Sequence, residues 1–69
     1  MKTLLDHKKR QLATIHILKK ELQMSESDYR LTMLQIGNQD SASKLTALGR
    51  ARVIHALRAR LSRLETDNG

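Results

Sequence analysis

Arginine carries the chemistry that this chain offers. Toward its C-terminal end, Arg52, Ala56, Ala59, Arg60 and Arg63 are spaced so that, at about 100° per residue, a helix gathers them within one arc. Small alanines between arginines let a helix come close to a phosphate backbone. Each planar guanidinium can then grip phosphate oxygens through two parallel hydrogen bonds. Arg50 and Lys44 stand just ahead as helpers, so the candidate nucleic-acid contacts are Arg52, Arg60, Arg63, Arg50 and Lys44. The arrangement suits a helix-turn-helix with its last helix in the reading position. Base-reading Asn, Gln or Ser are absent from the start of that helix, where Arg50 and Arg52 stand instead, so the expected contact is electrostatic and made to the backbone of duplex DNA. The competing reading is a solvated face, which arginine suits equally well as a good helix former.

Other polar residues offer less. Lys8-Lys9-Arg10 and Lys19-Lys20 flank an apolar stripe, where their stems can cover apolar surface while their charges stay in water. His16 and His55 fall mid-helix beside apolar residues, and His7 near a helix start. No pair of histidines lies one turn apart with a carboxylate, so no metal site is expected and a partly buried histidine bonded to a carbonyl is. Tyr29, the sole aromatic, reads as a core anchor, since one ring cannot build a stacking platform for single strands. With no cysteine, with Gly37 and Gly49 isolated, and with no facing carboxylates, there is no nucleophile motif, phosphate cradle or acid/base dyad. A non-enzyme without cofactor is expected.

The elements that must hold these residues are helical. Apolar residues make up 39% of the chain and are almost all aliphatic, the composition of a helical core. Sixty-nine residues suit one small domain, burying only about 60% of its unfolded surface. A net charge of +6 and a pI near 10.4 suggest a polyanionic partner, either nucleic acid or an acidic protein surface. The missing cysteine argues for a reducing cytoplasm. The apolar run at Leu4-Leu5 is too short for a signal peptide, and no stretch approaches a membrane span.

The spacing predicts an all-α fold, a small three-helix bundle with a short extra helical turn between the second and third helices. Residues 1–5 form a lead-in, 6–65 a single helical domain and 66–69 a polar tail. Asp6 should cap a helix over 6–22, with Leu12, Ile15, Leu18 and Leu22 on one stripe and Ala13 and Ile17 off it. Apolar residues on two sides place this helix at the centre of the packing. Ser25 should cap a second helix over 26–36, with Asp28 completing a capping box. Tyr29, Met33 and Ile36 share its face, and Gly37-Asn38 can both take the left-handed conformation that ends it. A polar connection over 39–43 leads to a single turn through Lys44-Leu45. Thr46 should cap the final helix, reaching 64 or 65, with Val53, Ile54, Leu57, Leu61 and Leu64 as its stripe. The Leu57-Leu61-Leu64 run could also support a weak homodimer.

Three blocks then form a pattern: Ile15-His16-Ile17-Leu18-Lys19-Lys20-Glu21-Leu22, Asp28-Tyr29-Arg30, and Ser41-Ala42-Ser43-Lys44-Leu45-Thr46. Together they resemble the GemA family of Mu-like bacteriophages and prophages. That family carries an Ile-His block with paired basic residues, an Asp-x-Tyr-Arg corner and a Ser-to-Thr turn before a final helix. The resemblance spans roughly residues 10–64. It implies an early phage regulatory protein connected with modulation of host DNA gyrase, and so with DNA topology and transcription. Its partner would be a host protein linked to gyrase or transcription. It assigns no catalytic role to His16, Tyr29, Arg30 or Lys44. Gly49 departs from the acidic or amide residue usual three positions after the threonine cap. The family's further C-terminal region has no counterpart in this sequence.

Overall fold

Two short polar side chains decide where two of the helices begin. The backbone N–H of Asp28 donates to Ser25 Oγ at 3.1 Å, and that of Gly49 donates to Thr46 Oγ1 at 3.0 Å. Each satisfies an amide that the first helical turn otherwise leaves without a partner. The computed structural model describes residues 4–68, with side chains from 6 to 66. It contains α1 (Leu4–Glu21), α2 (Glu26–Gly37), a 3-10 turn (Ala42–Lys44) and α3 (Ala47–Asn68). The fold is all-α, three helices with the short extra turn between the second and third. Among the described residues no helix is long and apolar enough to cross a membrane.

The boundaries differ from expectation at the outer ends. α1 already includes Leu4 and Leu5, so Asp6 lies in its first turn, where a carboxylate suits the positive end of the helix dipole. Residues 1–3 of the expected lead-in lie outside the described residues. α3 runs on to Asn68 through what was expected to be tail, and Gly69 lies outside the described residues. Both inner corners use a left-handed residue. Gln23 has φ 53°, with Gln23 N–H donating to Lys20 O and Met24 N–H to Lys19 O, both at 3.1 Å, the pair of bonds that closes a Schellman motif. At the end of α2 only Asn38 turns left-handed (φ 65°), its N–H reaching Leu34 O at 3.0 Å. Gly37 stays helical, and its lack of a side chain serves packing instead. A β-carbon there would overlap Leu45 Cδ2.

The core draws on every element: Ile15 and Leu18, Tyr29 and Met33, Ala42 and Leu45, Val53 and Leu57, with Leu12, Leu22, Met24, Ile36, Ile54 and Leu61 packed around them. Its central element is α3, which packs along both α1 and α2, and not α1 as its two-sided pattern suggested. The second side of α1 faces water: Ala13 is exposed and Ile17 keeps 57% of its surface. Gln11 on α1 meets Ala47, and Leu22 and Met24 lie beside Arg60, Arg63 and Leu64, so α1 and α3 run in the same direction. α2 runs back the other way against α3, its start near Arg60 and its end near Thr46.

Candidate nucleic-acid interface

α3 carries Arg50, Arg52, Arg58, Arg60 and Arg63 before its first acidic residue, Glu65. Helical geometry places Arg63 within about 20° of Arg52 around the axis, and Arg60 about 80° from it. Along the axis Arg60 and Arg63 lie roughly 12 and 16 Å from Arg52. The half-buried Ala56 and the exposed Ala59 lie between them. All three arginines are exposed. The ion pairs among the described residues are Lys19–Glu26, Arg30–Glu26 at 3.9 Å and Lys44–Asp40 at 3.3 Å, and none draws on α3. Arg52 lies where α2 ends, beside Asn38, Leu48 and Gly49. Arg60 and Arg63 lie where α2 begins, beside Leu22, Met24, Asp28 and Leu64.

The two expected helpers stand differently. Lys44, on the 3-10 turn, is exposed and pairs with Asp40 one turn before it. A solvated pair of this kind contributes little, so the ammonium can still exchange partners. Arg50 is not at the surface. It keeps only 6% of its area exposed, and its Nε donates to Gln11 Oε1 at 2.8 Å. A terminal nitrogen donates to the carbonyl of Leu45, and Gln11 Nε2 in turn donates to Ala47 O at 3.1 Å. The guanidinium thus ties α1 to the corner that opens α3, and it is not available to phosphate. A buried cation is tolerated when its donors meet acceptors, which is what Gln11 and the carbonyl provide. The signal was in the spacing. Arg50, Val53, Ile54, Leu57 and Leu61 share one stripe, as do Gln11, Ile15, Leu18 and Leu22, so each stripe begins on a polar residue that faces inward.

Other side chains sharpen the picture. Arg58, which the arc omitted, is also exposed, so the basic surface of α3 is wider than the Arg52–Arg63 ridge. His16 and His55, expected to be partly buried, are exposed. Tyr29 is a core anchor as expected, with the Lys19 ammonium 4.5 Å from its ring centroid. Burial pushes the Tyr29 hydroxyl above its usual pKa. The hydrogen bond from Lys19, and then its charge, hold the Glu26 carboxyl below the usual range. Comparison of the chain with protein-family models, with curated proteins and with solved structures finds no match.

Proposed function

We propose that this is a non-catalytic regulatory protein of the GemA type from a Mu-like phage or prophage. It acts in the bacterial cytoplasm on host DNA topology or transcription by binding nucleic acid through α3. The observation that carries the binding reading is that Arg52, Arg60 and Arg63 are exposed and belong to none of the ion pairs among the described residues. Their axial separations of roughly 12 to 16 Å are comparable with a major-groove width of about 12 Å. Guanidiniums at those positions can therefore reach phosphates on both sides of a groove. The biological setting rests on the resemblance of the three sequence blocks. Titration of a labelled duplex at several salt concentrations tests the reading. Replacing Arg52, Arg60 or Arg63 with Ala should each flatten the slope of log K against log salt by about 0.9. Duplex DNA at low salt that leaves every amide signal of α3 in place would remove the reading.

The second reading is a protein-interaction module whose arginines meet an acidic surface on a host or phage protein. It is favoured by the aliphatic groove beside Arg60 and Arg63, a feature that backbone binding does not require. Capture from bacterial lysate with and without nuclease separates the two. Partners that survive nuclease favour protein recognition, and partners that vanish favour nucleic acid.

A further inference from the structure

At the end of the bundle away from Arg50 the packing opens. Leu22 and Met24 after α1, Asp28 in the first turn of α2, and Arg60, Arg63 and Leu64 of α3 surround an open groove of about 350 Å³. Its floor is aliphatic. Leu22 and Met24 are only partly buried against the core, and Leu64 keeps 47% of its surface although it continues the inward stripe of α3. Its rim carries two guanidiniums against one carboxylate.

We propose that this groove docks an amphipathic helix from a partner protein, with its apolar edge on Met24 and Leu64 and its flanking carboxylates toward Arg60 and Arg63. The inference deepens the protein-interaction reading and does not depend on the nucleic-acid one. Two chemistries side by side select this occupant. An aliphatic floor gains from removing apolar surface from water, which a phosphate backbone cannot supply. Paired arginines on one rim select carboxylates, setting orientation and association rate more than affinity. Asp28 on the same rim repels a carboxylate on its side, so the acidic edge of the docked helix lies toward α3. Met24, unbranched and flexible, can shape itself to the incoming side chains. A second copy of this chain suits the site poorly. The chain is +6 overall with only seven carboxylates, and a symmetric pairing through this groove would set arginine against arginine.

The probe is a synthetic amphipathic peptide with leucines one turn apart flanked by glutamates, titrated into the isotope-labelled full chain. Shifts should gather at Leu22, Met24 and Leu64. Affinity should fall by about tenfold or more in Leu64→Ser, and again when Arg60 and Arg63 are both changed to Gln. Leu64 is half-exposed, so Leu64→Ser should keep the helicity and melting temperature of the parent, and Met24→Ser provides a second route to the same floor. Four outcomes overturn the proposal. They are no binding of the peptide, binding indifferent to both floor substitutions, shifts that map to another face, or a mass in sedimentation that rises with concentration and reverts in Leu64→Ser. The third leaves protein interaction standing on a different surface, and the fourth assigns the groove to a second copy.

Discussion

The two ends of the bundle use the same residue types for opposite purposes. At one end Arg50, Gln11, Leu45 and Gly37 lock together, and among the described residues no buried side-chain nitrogen or oxygen lacks a partner. At the other, Arg60, Arg63, Met24 and Leu64 border an unfilled groove, and the chain turns the corner on a left-handed glutamine. Arg50 and Arg52 show how small the cause is. Two residues of helix rotate a side chain by about 200°, enough to carry a guanidinium from water into the core. Arginine identity therefore does not assign a role in this chain. Helical phase does: it turns Arg50 inward at the closed end and leaves Arg52, Arg60 and Arg63 in water.

The sharpest way to break that contrast is to treat the two neighbours alike. Arg50→Ala removes packing and strands Gln11 Oε1 and the Leu45 carbonyl without their donor, an expected loss of about 3 kcal/mol. Against a total stability on the order of 3 to 10 kcal/mol for a chain of this length, that is a large share, enough at the lower end of the range to unfold much of the population. Arg52→Ala, on the exposed face, should stay within about 0.5 kcal/mol of the parent. Urea unfolding followed by circular dichroism measures both. Equal losses would mean that the buried network is not what holds the closed end.

Next comes Gly37→Ala. A β-carbon at Gly37 overlaps Leu45, which is itself buried, so Leu45 must change rotamer or the 3-10 turn must move away from α2. Overpacking of this kind costs about 1 to 3 kcal/mol, partly offset by the roughly 1 kcal/mol that alanine gains over glycine inside a helix. A net loss of about 1 kcal/mol is expected, read as a lower urea midpoint at unchanged slope. A gain in stability would show that the corner is looser than its contacts imply.

These positions also mark what could be read from the sequence. The stripes were legible because burial follows the helical period, and Ile15, Leu18, Met33, Val53 and Leu57 all lie in the core. Ser25 and Thr46 were legible because capping depends on a local bond three residues long. What lay hidden depends on partners distant in the chain. The spacing puts Arg50 on the inward stripe, but the acceptor that lets a guanidinium stay there comes from Gln11, 39 positions away, and no local pattern reports that partner. The same blindness put α1 at the centre. Ala13 and Ile17 have the composition of a second buried face, but among the described residues no element covers them. At the candidate interface, Arg52, Arg60 and Arg63 followed from spacing, whereas the groove between three elements did not.

Gln23 tests the open end in the favourable direction. A residue with a β-carbon held left-handed is strained by about 1 to 2 kcal/mol, and glycine removes that strain while adding flexibility to the unfolded chain. Gln23→Gly should therefore stabilise by about 0.5 to 1 kcal/mol, raising the melting temperature by roughly 2 to 8 °C. Scanning calorimetry reads the shift. If the melting temperature falls, the side chain of Gln23 holds the corner in some way that its backbone bonds do not reveal.

The smallest effect separates the ends by pH. Glu26 joins α1 to α2 through Lys19, with Arg30 adding to the positive field, and its carboxyl titrates below the ordinary value of 4.5. A depressed carboxylate stabilises the fold above the pKa it has in the unfolded chain, and that contribution disappears as pH falls through the lower, folded value. The loss should therefore begin below about pH 4.5 and be modest, since the carboxylate is exposed and screened by water. At the closed end the partners of Arg50 are an amide and a carbonyl, neither of which is an acid or a base in this range. Comparing melting temperatures of the parent and Glu26→Gln from pH 6 down to pH 3 isolates the corner. The two curves should converge on acidification, and salt near 1 M should shrink the difference at pH 6. Parallel curves would move the acid sensitivity away from the Lys19–Glu26 corner.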